Sequence, residues 1–215
     1  EHARYGQLPE VLKKVILKYY ILKTELKGVE GQELLYDKSK NKLNSVYGMS
    51  AQNPVKRSIN FEHGEFLEEI VSDEELLEKA NKKAFFPYQW GVWTTAWARY
   101  LLYEGRKVVT DQGGEFVYCD TDSVKYYSPA PIDWEPYNAL RRADSVKSGA
   151  WADDPKGVRH YMGVYEQEKT YKRFITYGSK KYAYEYEDGN THVTIAGVNK
   201  IKGGKELQDK GGLEA

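Results

Sequence analysis

Between Leu8 and Leu26 the apolar residues Val11, Leu12, Val15, Ile16, Tyr19, Tyr20 and Leu22 recur three and four positions apart, with lysines between them. That spacing predicts an amphipathic helix, and Pro9 is tolerated in its first turn, where a missing N–H goes unused. Gly28 and Gly31 interrupt the pattern, and a second helical stretch runs from about Gln32 to Tyr47. Gly48 is read as its terminator, because glycine reaches the left-handed conformation without steric cost. The two stretches read as a helical hairpin. Residues 53–86 carry Asn53-Pro54, His63-Gly64 and an acidic cluster from Glu62 to Glu78, in which Ser72 and Glu75 have capping-box spacing. This segment reads as a peripheral insertion. A third long helix is expected from Trp90 to Val109, with Trp93, Trp97, Leu101 and Leu102 on one buried face. Gly113-Gly114 then turns the chain into a strand from Glu115 to Cys119, Asp120-Thr121-Asp122 sits at a strand turn, and a second strand runs from Val124 to Tyr127. After the proline-rich turn Ser128–Pro136 comes a helix to about Lys147. The region Tyr161–Ala196 is rich in β-formers, with a hairpin at Asp188-Gly189-Asn190. The expected class is α/β mixed (α+β), with helices on a small antiparallel sheet.

Composition narrows this further. The 215 residues hold 32 Lys+Arg against 32 Asp+Glu, a formal charge of zero, so the chain is neither a polybasic tail nor an acidic solvating polymer. At 40% hydrophobic and 14% aromatic residues it can bury a sizeable core, as one domain or two small ones. The lone cysteine, Cys119, excludes an internal disulfide framework and Cys-based zinc modules, and fits a reducing, cytoplasmic setting. The longest uncharged stretch, Ala84–Ala98, contains Pro87 and is too short for a membrane span, and no signal peptide is legible. The chain opens on Glu1 and stops at Ala215 after an unfinished pattern, as expected of a piece of something longer.

Two constellations could carry chemistry. In Tyr118-Cys119-Asp120-Thr121-Asp122-Ser123 two carboxylates one residue apart on a tight turn can aim oxygens into one small volume, which suits Mg²⁺. Asp, Thr and Ser are also ordinary turn residues that bond their own backbone. Phe116, Val117, Val124 and Tyr126 on either side make the turn the tip of a buried hairpin, where paired carboxylates are expensive without a cation. In the second, Lys40, Asn44 and Tyr47 lie four and three apart, so ammonium, amide and ring share one helix face. Such a stripe could meet a polyphosphate and a base or sugar, and it could equally be a solvated face.

Taken together, K-x-x-x-N-S-x-Y-G at 40–48 and Y-C-D-T-D-S at 118–123 resemble the second and third polymerase motifs of the family B DNA polymerases. Between them Thr95-Ala-Trp-Ala-Arg99 resembles the family's T-x-x-(G/A)-R segment, and beyond them Lys180-Lys-Tyr182 resembles its K-x-Y motif. The string Trp93–Tyr100 and Lys23-Thr24 bring the chain nearest the protein-primed branch found in bacteriophages and related plasmids.

The resemblance implies a polymerase palm and helical-hairpin fingers. Residues 1–52 would be the fingers, 53–86 the acidic insertion, 87–196 the palm and 197–215 the start of a truncated thumb. It implies that Asp122 is the principal metal ligand and Asp120 a second catalytic carboxylate, holding two Mg²⁺ (or Mn²⁺) ions about 4 Å apart. Lys40 would meet the triphosphate of the incoming deoxynucleotide, Asn44 would support that face, and Tyr47 would pack against sugar and base. Lys23, with Lys27 as the fallback, would add a phosphate contact. Thr95 and Arg99 would touch template or primer, and Lys180 and Tyr182 would steady the primer end. Read from the residues alone, Arg99 also suits a surface salt bridge and Tyr182 a strand core. The reaction implied is attack of the primer 3′-oxygen on the α-phosphorus with release of pyrophosphate, in the host cytoplasm, with a terminal protein as a further partner.

The family's first motif, an Asp followed by S-x-Y-P, has no match in residues 1–34, and the exonuclease D-x-E signature that should precede it has none either. The chain is therefore expected to be a fingers-plus-palm fragment, binding DNA or nucleotide weakly and inactive alone. Two other readings stand beside it: a non-catalytic nucleic-acid-binding module using its aromatics and the basic run Lys169–Lys181, and a structural or interaction protein.

Overall fold

The computed structural model describes residues 8–68, 71–168 and 170–214. The readings that fall on Glu1, Glu69, Lys169 and Ala215 lie outside them. In chain order the elements are α1 (Glu10–Glu25), α2 (Glu33–Ser50), β1 (Ile59–Glu62), β2 (Glu65–Glu68), α3 (Asp73–Lys83), α4 (Tyr88–Asp111), β3 (Glu115–Asp120), β4 (Ser123–Tyr127), α5 (Glu135–Ser148), β5 (Trp151–Asp153), β6 (Arg159–Tyr161), β7 (Tyr171–Thr176), β8 (Lys181–Tyr186), β9 (Thr191–Ile195) and α6 (Lys200–Asp209). The class is mixed α and β. In place of one small sheet, the described strands form three separate hairpins, β1–β2, β3–β4 and β5–β6, and a three-stranded antiparallel sheet β7–β8–β9. The chain divides into two compact units, residues 1–99 with 140–163, and residues 100–139 with 164–215.

In the first unit α1 packs on α2 and along β5. Pro9 stands at the N-cap instead of within the first turn, and its carbonyl accepts from the Leu12 and Lys13 amides at 2.9 and 3.1 Å. The loop between the helices uses Gly28 and Gly31 at φ 77° and 78°, where a side chain would be strained. Helix α2 does not end at Gly48 but runs to Ser50, whose hydroxyl donates to the Tyr47 carbonyl at 2.7 Å. Packing explains the extra turn: a Cβ on Gly91 of α4 would lie 2.9 Å from both the Ser50 carbonyl and the Ala51 Cβ. Burying the turn there outweighs the penalty of about 1 kcal/mol for a helical glycine. The predicted cap of α3 is present, with the Ser72 hydroxyl accepting from the Glu75 amide at 3.2 Å.

Helix α4 corrects a further expectation. Trp93 and Trp97 are 63% and 58% exposed, and Leu101 and Leu102 are only half-buried. The inward positions are small ones. Gly91 and Thr95 face the end of α2 in the first unit; in the second, Gly105 meets Tyr165 and Val109 is fully buried. Approach this close leaves no room for an indole.

In the second unit Trp134, Tyr137 and Tyr165 form an aromatic nest, with centroids 4.9 Å (Trp134–Tyr165) and 5.4 Å (Tyr137–Tyr165) apart. Asn138 clamps it by donating to the Tyr165 carbonyl at 2.9 Å and accepting from the Tyr165 amide at 3.0 Å. One face of the three-stranded sheet is aromatic, carrying Tyr171, Phe174, Tyr182, Tyr184 and Tyr186. Helix α6 lies on β9, where the Thr191 hydroxyl donates to the Gly204 carbonyl at 2.9 Å. The hairpin expected at Asp188-Gly189-Asn190 joins β8 to β9, with Gly189 at φ 78°. Among the described residues no helix is long and apolar enough to cross a membrane.

Candidate functional site

The second unit contains the acidic turn. Strands β3 and β4 pair antiparallel with Asp120 opposite Ser123, Cys119 opposite Val124 and Tyr118 opposite Lys125. Strand parity puts Tyr118 and Asp120 on one half-buried face with Cys119 exposed between them, and the register shift between Phe116 and Tyr118 interrupts the alternation, so that Phe116 pairs with Tyr126 instead. Only Thr121 and Asp122 span the turn. Thr121 takes φ 56°, a left-handed conformation costly for a β-branched residue, and the Asp122 amide donates to the Asp120 carbonyl at 2.6 Å. The Thr121 hydroxyl donates to Asp120 Oδ1 at 2.9 Å, so the turn orients its own carboxylate. Asp120 is half-buried and Asp122 exposed.

The aromatic face of the sheet receives this hairpin through Tyr118. Its ring lies 5.0 Å from that of Tyr182 and 5.9 Å from that of Phe174. Its hydroxyl accepts from the Lys180 amide at 2.9 Å, and Lys180 itself stands at φ 55° in the tight turn between β7 and β8. From there the Lys180 ammonium comes within 3.7 Å of Asp120 Oδ1. Asp120, Lys180 and Tyr182, from segments distant in sequence, are thus neighbours in one unit. Burial on the other side of the hairpin pushes the Tyr165 phenol well above its ordinary range, with the charges of Tyr137, Asp122 and Cys119 adding to the effect.

The first unit holds the remaining predicted positions. Lys40, Asn44 and Tyr47 lie on one continuous helix, α2, and all three are exposed. The Tyr47 hydroxyl is hydrogen-bonded to the Thr95 hydroxyl at 2.8 Å, and Thr95 also donates to the Gly91 carbonyl at 2.9 Å. Tyr47 and Thr95 are thereby brought together. Lys23 is in the last turn of α1, half-buried with its ammonium 5.9 Å from the Tyr20 ring, while Lys27 and Arg99 are exposed.

No family model, curated protein or solved structure matches the chain. What the site can do follows from its own chemistry. Two carboxylates on one turn suit Mg²⁺, which takes one or two protein carboxylates and completes its octahedron with water and phosphate oxygens. Among the described residues no three His, Cys, Asp or Glu side chains converge to form a closed protein cage. The Lys180 ammonium adds a positive charge 3.7 Å from Asp120 Oδ1.

Tyr118 is the position that sequence reasoning left without a role. Its signal was strand parity: it lies two residues before Asp120, so both side chains leave the same face.

Proposed function

We propose that this chain is part of a template-directed DNA polymerase, with the second unit contributing palm-like and the first fingers-like elements. The observation that carries the reading is the contact between the acidic turn and the K-x-Y loop, Lys180 to Asp120 at 3.7 Å and to Tyr118 at 2.9 Å. A polymerase needs a metal-binding carboxylate pair beside a group that holds the primer end, and the nearness of Asp120 and Lys180 supports that reading.

Asp122 and Asp120 would hold Mg²⁺, or Mn²⁺ in its place. The bound ions supply charge stabilisation at phosphorus and a more acidic primer hydroxyl. Lys180 offers its ammonium to a primer phosphate, and Tyr182 braces the loop by packing its ring against Tyr118. On α2, Lys40 presents a cation to the triphosphate and Tyr47 a flat ring to the sugar and base. The Tyr47–Thr95 bond fixes that ring against α4, next to the segment assigned to the DNA strands. Partners of this reading are a primer-template, deoxynucleoside triphosphates and, for protein priming, a terminal protein.

A second reading, a non-catalytic nucleic-acid-binding module, is favoured by one observation: Trp93 and Trp97 are exposed one helical turn apart, as base-stacking indoles would be. Nucleotide binding separates the two. For the polymerase site, Mg²⁺ raises deoxynucleotide affinity, and Asp122→Ala abolishes that rise while leaving metal-free binding of DNA in place. Binding that is indifferent to Mg²⁺ and to Asp122→Ala, but collapses steeply with salt, would hand the case to the module.

A further inference from the structure

We propose that Lys180 is shared between Asp120 and a nucleic-acid phosphate, so that DNA and a divalent cation promote each other's binding through this one side chain. The inference rests on the polymerase reading and adds to it a coupling between two of its ligands. At 3.7 Å the Lys180–Asp120 pair is longer than a hydrogen-bonded ion pair, and the lysine side chain is 58% exposed against 21% for the carboxylate. Such a pair is weak, and an incoming phosphate can take the ammonium over.

The backbone beneath it is fixed. The Lys180 amide is held by the Tyr118 hydroxyl at 2.9 Å, and Tyr118 is itself packed against the Phe174 and Tyr182 rings. The ammonium can swing on its flexible stem while its Cα stays beside the turn. When a phosphate draws it away, Asp120 keeps its Thr121 hydrogen bond and its orientation but loses its neutralising charge, and it becomes a better cation ligand. A cation on Asp120 in turn repels the ammonium toward the phosphate. Linkage makes the two effects equal.

The experiment measures Mn²⁺ affinity by electron paramagnetic resonance, with and without a saturating primer-template duplex at low salt. Mn²⁺ bound at the turn is defined as the part lost in Asp120→Asn. Saturating duplex is expected to tighten that site about fivefold, at the lower end of the usual coupling range. Lys180→Met is expected to bind Mn²⁺ more tightly without DNA and to lose most of the DNA effect; Lys180→Arg is expected to keep it. Tyr118→Phe, which retains the ring and the lysine but frees the loop, is expected to weaken the coupling without removing the site. If Mn²⁺ binds at Asp120 and the DNA effect is unchanged in Lys180→Met, the coupling is wrong and the polymerase reading survives. If the wild-type chain binds no Mn²⁺ that depends on Asp120, with or without DNA, both fall.

Discussion

Gly48 and Gly105 both sit inside α-helices, yet replacing each by alanine should act in opposite directions. A Cβ on Gly48 meets nothing within 4 Å, so Gly48→Ala collects only the helix-propensity gain, about 1 kcal/mol. A Cβ on Gly105 would lie 2.8 Å from two ring carbons and the hydroxyl oxygen of Tyr165. Ordinary carbon contacts begin near 3.5 Å, so the ring must retreat by about 0.7 Å. It has little room: Trp134 and Tyr137 flank it at 4.9 and 5.4 Å, and Asn138 clamps its backbone on both sides. Overpacking of this kind costs about 1–3 kcal/mol, against which the same propensity gain of about 1 kcal/mol is set. Gly105→Ala should therefore be destabilising by about 1 kcal/mol and lie about 1–3 kcal/mol below Gly48→Ala. Urea unfolding followed by near-ultraviolet circular dichroism, which senses the Trp134–Tyr165 nest directly, measures both variants. A Gly105→Ala protein as stable as Gly48→Ala would refute the close approach of α4 to Tyr165.

Thr121 at φ 56° should be improved by a residue that tolerates the left-handed region. Thr121→Asn is expected to raise stability by about 0.5–1 kcal/mol, read as a higher urea midpoint, and an unchanged midpoint would argue against strain at the turn. Burial is the chief cause holding three phenols above their ordinary range: Tyr171 is raised to about 12, and Tyr165 and Tyr184 further still. Because the folded values exceed the unfolded one, their contribution to stability is complete below pH 10 and is lost as the pH climbs toward 12 and beyond. Absorbance at 295 nm should show these phenols ionising late and together with loss of the sheet's dichroism. Smooth titration of all 19 tyrosines near pH 10 in a folded protein would contradict that.

The elements that sequence reasoning placed well are those set by short-range chemistry. The Ser72–Glu75 cap and the Asp188-Gly189-Asn190 hairpin depend on neighbours a few residues away, and both stand where their spacing puts them. The Asp120–Asp122 turn was legible for the same reason, since it lies between two short strands whose alternation shows in the residues. Gly48 misled because a helix end depends on what packs against it, and Gly91 of α4 lies far off in sequence. Trp93 and Trp97 face outward because hydrophobicity does not by itself fix burial: the buried line of α4 is written in glycine, threonine and valine. Strands β5 and β6, three residues each, fell below any periodicity that could be counted. The approach of Lys180 to Asp120 was not visible, because it depends on Tyr118 docking one hairpin onto a separate sheet.

That docking limits how β3 can change in length. Tyr118 and Asp120 serve the site from one face only because a single residue separates them, and Val117 already absorbs the register shift between Phe116 and Tyr118. Deleting Cys119, or inserting a residue beside it, would turn one of the two side chains to solvent and uncouple the carboxylate from the sheet that brings the lysine. Substitution at Cys119 should be tolerated far better than any change of spacing there, so a library built by insertion and deletion would mark this hairpin as fixed where one built by substitution would not.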